Sequence, residues 1–156
     1  MEIRKARLKD VDGITELWKR MISYHRRYET SKFEKLKPGA DRTLRKFVIG
    51  NIRGRNGLVL VAEDRGKLVG YCMSFIKKNV PIFRIERTGY ISDLYIREKY
   101  RGSGIASQFK KHTFRWFKKK GITHASIEVY FENKASWNIY RKWGFGENHV
   151  RLISKI

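Results

Sequence analysis

The sequence predicts a mixed α/β fold, and three observations carry that reading. Short runs rich in β-branched and aromatic residues alternate with longer runs whose apolar residues recur at helical spacing. Glycine, proline and polar clusters separate the runs. With 156 residues and 41% hydrophobic content, the chain suits one domain over 1–156 and is too short for two.

Residues 2–6 predict a first strand. Asp10 is placed to cap a helix whose apolar stripe, Val11, Ile14, Leu17, Trp18, Met21 and Ile22, belongs in the core. Lys37-Pro38-Gly39 leads to a second helix near Asp41–Asn51, which Arg53-Gly54-Arg55-Asn56-Gly57 breaks. Strands near 58–63 and 67–77 flank Asp64-Arg65-Gly66, a hairpin turn. Tyr90–Ile96 is a strand-like run that feeds a glycine-spaced turn and a third helix marked by Ile105, Phe109, Trp116 and Phe117. A strand near 124–130, a fourth helix near 134–143 and a last strand within 147–156 complete the order β-α-α-β-β-β-α-β-α-β.

Composition limits the function classes. No apolar run approaches the roughly 20 residues of a membrane span, and Met1-Glu2-Ile3-Arg4-Lys5 lacks the apolar block of a secretory signal, so a cytoplasmic protein without membrane contact is expected. The single cysteine, Cys72, lies in an apolar run and reads as a buried small hydrophobe, not a nucleophile. His25, His112, His124 and His149 show no paired ligand spacing, so no metal is expected. The charge balance, 36 Lys and Arg against 15 Asp and Glu, gives +21. Such a field attracts a phosphorylated cofactor, nucleic acid or an acidic protein, and does not choose among them. Lys118, Lys119 and Lys120 suit the C-terminal dipole of a helix closed by Gly121, a reading preferred to nucleic-acid contact because it needs no ligand.

The most informative stretch is Ile96-Arg97-Glu98-Lys99-Tyr100-Arg101-Gly102-Ser103-Gly104-Ile105-Ala106. A strand ends in a basic turn that opens directly into a helix. There the first amides of the helix lack internal partners, the dipole is positive, and Gly102 and Gly104 remove the side chains that would obstruct a phosphate. No Gly-Lys-Ser/Thr follows, and no acidic residue lies on a following βα unit, so nucleoside triphosphates and nicotinamide cofactors fit poorly.

Lys99-Tyr100-Arg101-Gly102-Ser103-Gly104 resembles the Q/R-x-x-G-x-G/A acetyl-coenzyme A loop of the GCN5-related N-acetyltransferase family, with Lys in the first slot. Asn133-Lys134-Ala135-Ser136-Trp137-Asn138-Ile139-Tyr140, followed by Gly144-Phe145, is similar to that family's N-x-x-A/S-x-x-x-Y and helix stop. Leu58–Glu63 and Lys67–Tyr71 look like its second and third strands, so the likeness covers most of the chain. It implies a mostly antiparallel sheet whose fourth and fifth strands splay around the cofactor, with four helices. It also implies acetyl-CoA as co-substrate, held by Leu94, Tyr95, Ile96, Arg101, Gly102, Ser103, Gly104, Ile105, Ala106, Asn133, Ser136 and Tyr140. The run Ser92-Asp93-Leu94-Tyr95-Ile96 resembles the diamine acetyltransferase branch, which carries Glu-Asp where this chain has Ser92-Asp93.

The implied reaction moves an acetyl group to a primary amine by direct transfer. At neutral pH only on the order of one alkyl amine molecule in a thousand is uncharged, so a base or water relay must take its proton. Asp93 and Glu128, in or at the end of strands facing the implied gap, are the candidate bases, and each also fits a structural hydrogen-bonding role. Tyr140, two turns beyond Asn133, is the candidate acid for the departing thiolate, its phenol pKa near 10 keeping it protonated. The amides of Leu94 and Ile96 would meet the thioester carbonyl and the pantetheine arm. The acceptor, a small-molecule amine or a protein or peptide amine, would lie against the first two helices, the loop at 29–40 and Lys77–Thr88. A basic nucleic-acid or ribosome-associated module on the same scaffold is the alternative, and a homodimer is an open assembly.

Overall fold

A computed structural model describes residues 1–29 and 34–154. Its five strands form one sheet in chain order: β1 (Glu2–Lys5), β2 (Gly57–Asp64), β3 (Lys67–Lys78), β4 (Arg87–Ile96) and β5 (Ala125–Ile127). The first four pair antiparallel and β5 joins β4 in parallel. Four helices complete it: α1 (Val11–His25), α2 (Ala40–Arg53), α3 (Ile105–Lys119) and α4 (Lys134–Lys142).

The alternation of β2 explains the layering. Leu58, Leu60 and Ala62 pack with Val69, Cys72, Ile91 and Ile96 against Ile105, Phe109 and Phe117 of α3. Val59 and Val61 turn the other way, with Tyr71 and Met73, against Ile14 and Leu17 of α1 and Val48 of α2. Each buried Val, Leu, Ile, Met or Phe side chain among them contributes about 1.5–3 kcal/mol, and burial on both faces is why β2 reads as an unbroken apolar run. The hairpin joining β2 to β3 turns on Arg65 and Gly66, both at positive φ (49° and 75°), as a two-residue turn demands. Gly121 (φ 71°) ends α3, and Gly144 (φ 92°) ends α4.

Three expectations change. Asp10 stands at the start of α1, yet its carboxylate makes no cap. It accepts from both terminal nitrogens of Arg4 (2.7 and 2.9 Å) and from the Arg7 amide (2.7 Å), because a half-buried guanidinium on β1 outcompetes the helix end. The strand expected near 124–130 spans only Ala125–Ile127. The last strand expected within 147–156 is absent over 147–154, where Val150 and Leu152 are 82% and 89% exposed. Neither side chain finds a packed face to cover it, so the segment gains nothing from pairing. Positions 155 and 156 of that segment, and 30–33 of the loop expected at 29–40, lie outside the described residues.

The feature that positions the site is the short reach of β5. Its pairing covers only Gly89, Tyr90 and Ile91 of β4, which runs on to Ile96. A fork opens there. Gly89 sits at its crotch, where an added Cβ would come within 2.6 Å of the Phe117 ring, so glycine lets α3 close over the junction. Among the described residues, no helix is long and apolar enough to cross a membrane.

Candidate functional site

Within the fork, β4 changes phase. Asp93 pairs with Met73 and Ile91 with Ser74, leaving Ser92 as an extra residue in a bulge. Before the bulge the Gly89 amide donates to the His124 carbonyl, toward β5 (2.9 Å); after it the Arg97 amide donates to the Val69 carbonyl on β3 (2.8 Å). Counting back by twos from Arg97, the amides of Tyr95 and Asp93 face β3, and those of Leu94 and Ile96 face the side that β5 has vacated. Leu94 packs on the α3 side of the sheet and Tyr95 on the α1/α2 side.

Asp93 projects with Tyr95 toward α1 and α2. Its carboxylate accepts from the Ser92 hydroxyl (2.8 Å) and the Tyr71 hydroxyl (3.3 Å), and burial raises its pKa against the pull of those two donors. A carboxylate whose charge is disfavoured holds a proton more readily. Glu128 lies one residue past β5 and is exposed. Beside it, burial and then the field of Glu128 push the Tyr90 hydroxyl upward, with Asp93 and Glu34 adding to the effect. Glu128, Asp93 and Glu34 thus bear on one region around Tyr90.

The glycine turn has the backbone that the sequence requires. Gly102 (φ 77°) and Gly104 (φ 83°) are left-handed, and a Cβ built on either meets nothing within 4 Å. The Ser103 hydroxyl donates to the Tyr100 carbonyl (2.6 Å), and Arg101 Nε to the Ile96 carbonyl (3.2 Å), tying the turn to the end of β4. The first helical bond of α3 runs from the Gln108 amide to Gly104, so the amides of Gly104, Ile105, Ala106 and Ser107 have no intrahelical partner. This open concavity of amides, with no side chain inside it, suits a diphosphate.

Asn133 caps α4, its Oδ1 accepting from the Ser136 amide (3.2 Å). Tyr140 lies on the same helix, its ring 5.6 Å from Trp143 and 6.3 Å from Phe145. Burial and the nearby Cys72 thiol push the Tyr140 hydroxyl up to about 12, with the Ser136 hydroxyl opposing. The phenol is held protonated. Cys72 itself is buried among the Ser74 and Thr113 hydroxyls, and burial lifts its thiol to about 11, an inert state for a nucleophile.

On the α1 side a cleft of about 450 Å³ opens between the end of α1, residues 34–36 and Tyr130. The rings of His25 and Tyr28 stand 4.9 and 5.4 Å from that of Tyr130, whose hydroxyl donates to Glu34. Burial lowers the His25 pKa, which the Glu34 carboxylate partly offsets. The sequence reading did not single out these four residues. Their signal is three-dimensional, since His25, Tyr28 and Glu34 meet Tyr130 only across the fold. Among the described residues no three potential ligands gather around a metal position.

Residues 17–145 match the acetyltransferase (GNAT) family. The chain is 30% identical over 88 residues to the N-alpha-acetyltransferase MAK3 of Arabidopsis thaliana, covering 56% of this chain and 44% of that protein. It is 28% identical over 87 residues to N-alpha-acetyltransferase 30 of Schizosaccharomyces pombe, covering 54% and 55%. The chain therefore spans about half the length of these curated relatives. The BH1408 protein of Bacillus halodurans, solved as a tetramutant, superposes with a TM-score of 0.84 at 21% identity over 100% of both chains. A predicted acetyltransferase of Clostridium acetobutylicum, solved with acetyl-CoA, superposes with a TM-score of 0.80 at 20% identity, over 99% of this chain and 95% of that one. These two superpositions describe the fold. With most of its length matching the family profile, the chain belongs to the acetyltransferase (GNAT) family.

Proposed function

We propose that the protein is an N-acetyltransferase that transfers an acetyl group from acetyl-CoA to a primary amine by direct attack in a ternary complex. The observation that carries this reading is the fork in β4. It leaves two main-chain donors facing the opened side, in the plane of the sheet, while a half-buried carboxylate leaves the same strand toward α1 and α2.

Acetyl-CoA supplies the activated acyl group, and the residues present fit it. The turn at Arg101–Ala106 offers amides to its diphosphate, with Gly102 and Gly104 keeping the approach open. The Leu94 and Ile96 amides are the donors for the carbonyl oxygen and the adjoining arm, where charge develops during attack. Asn133 and Ser136 order the first turn of α4 and thereby aim Tyr140.

Asp93 is the proposed base. Its raised pKa brings it closer to the operating pH, which favours proton transfer from the incoming ammonium, directly or through one water. Tyr140 returns a proton to the departing sulfur. A phenol held up to about 12 stays protonated until a thiolate forms beside it. Glu128 assists at the rim, where it is exposed to solvent. The cleft walled by His25, Tyr28, Glu34 and Tyr130 receives the acceptor, with carboxylate and ring faces suited to an ammonium group. An amino sugar is a reasonable trial acceptor, since the aminoglycoside acetyltransferase AAC(6')-Iy was solved with a bisubstrate analogue and shares this fold (TM-score 0.76).

The test is thiol release from acetyl-CoA against a panel of a linear diamine, an amino sugar and a peptide with a free N-terminus. Acceptor-dependent release with intersecting initial-rate lines is expected. Parallel lines would sink direct transfer, and no release with any amine despite bound cofactor would sink the transfer reading itself.

A further inference from the structure

The charge of α3 is not accounted for by the reaction proposed above. Between Lys99 and Ile127 the sequence contains no acidic residue. Lys111, Arg115, Lys118 and Lys119 line a shallow groove of about 580 Å³ with the ring of Phe114 among them. Lys110 Nζ stands 5.3 Å from the Phe114 ring and 5.8 Å from that of Trp143, extending the surface toward α4. Among the described residues, none of these five cations forms an ion pair.

Helix physics does not explain the groove. Lys118 and Lys119 sit in the last turn, where the dipole favours cations, but Lys111 and Arg115 lie in the helix interior and gain nothing from it. Lys111, Arg115 and Lys119 stand four residues apart, on one stripe, where like charges repel by a few tenths of a kcal/mol per pair (~0.2–0.5). The fold thus carries a destabilising stripe that burial does not require, since the core-facing positions of α3 are Ile105, Phe109, Thr113 and Phe117. The glycine turn lies at the other end of the helix, so the stripe is not the diphosphate site either.

We infer that this groove is a binding surface for single-stranded nucleic acid, its phosphates taken by Lys111, Arg115 and Lys119 and a base stacked on Phe114. The cations repeat at about 6 Å along the axis, four residues at 1.5 Å each, a pitch that can follow consecutive phosphates of one strand. A half-buried ring between them supplies what a purely electrostatic face lacks, a platform for a base. Duplex nucleic acid hides its base faces and offers the ring nothing.

The experiment measures fluorescence anisotropy of a labelled single-stranded oligouridine with the full chain, from about 50 to about 200 mM salt. Expected is salt-dependent binding with a logarithmic slope of about −2, the value for roughly three neutralised phosphates on a single strand. The Lys111→Glu/Arg115→Glu/Lys119→Glu variant should abolish it, and its melting temperature, unchanged or raised by the relieved repulsion, shows that the chain is folded. Phe114→Leu keeps an apolar side chain in place and should weaken binding about 10-fold by loss of stacking. Unaltered affinity in the triple variant overturns the inference. So does duplex RNA or an anionic phosphatidylserine vesicle binding as tightly as the single strand, or Phe114→Leu binding like the parent. Because the readout needs no acetyl-CoA, these outcomes stand apart from the test of acetyl transfer.

Discussion

The two sides of the fork are built from different materials. On the α3 side and in the gap itself the site is main chain: amides of the turn at Gly102–Gly104, the first amides of α3, and, in the gap, those of Leu94 and Ile96. On the α1 side it is side chain: the Asp93 carboxylate under Ser92 and Tyr71, and a cleft of rings and carboxylates drawn from His25, Tyr28, Glu34 and Tyr130. The difference teaches how each can vary. A backbone site tolerates many residues provided the path of the chain is kept, and a side-chain site can be retuned by single substitutions. That division fits a constant co-substrate met by a changeable acceptor.

Three variants test the division. The largest effect is expected from Asp93→Asn, which should lower kcat/KM by about 10²–10⁴-fold while leaving affinity for acetyl-CoA intact. Because burial raises the folded-state pKa of Asp93, the parent's acid limb should fall at a pH above the ordinary aspartate value of about 3.9. Activity is then lost as pH drops through that raised value. The same sign governs stability. A carboxyl with a raised folded pKa disfavours folding once ionised, so the variant should melt at an equal or higher temperature at pH 8. A pH profile unchanged by the substitution would remove Asp93 from the reaction.

Gly102→Glu should lower acetyl-CoA affinity about 100-fold by calorimetry, equivalent to about 3 kcal/mol. It forces a side chain into a left-handed position and aims a negative charge into the open concavity. Retained affinity would contradict the cradle. Tyr140→Phe, with the smallest expected effect, should reduce kcat by about 10–100-fold with little change in cofactor affinity. Equal loss of both would make the ring a packing element beside Trp143 and Phe145, and the two sides of the fork would then not be separable at α4.

The same division governs how much the sequence disclosed. Gly102 and Gly104 announce a main-chain site because left-handed backbone needs glycine, and Gly66, Gly121 and Gly144 mark ends of elements for the same reason. The unbroken apolar run of β2 and the stripe of α1 gave the layers, since each residue there has only one face to fill. Only the region of the cleft was legible, as the first two helices and the loop at 29–40; the side chains that wall it were not. His25, Tyr28, Glu34 and Tyr130 belong to segments that meet only after β4 and β5 pair, and none forms a local motif. The Ser92 bulge was hidden too, because its cause is a mismatch of register between two strands, visible in neither alone. Asp10 misled for a related reason: its preferred partner, Arg4, is set by the packing of β1 and α1.

That supernumerary residue at Ser92 gives the strand a parity, and parity is a matter of counting. Were Ser92 drawn into regular pairing opposite Met73, every group downstream would trade sides: the Asp93 carboxylate would point among the α3 side chains, and the Leu94 amide would be consumed by β3. Point substitutions at 94 or 96 leave the amide directions untouched. Between Asp93 and Ile96 the chain should therefore accept altered letters far more readily than an altered length.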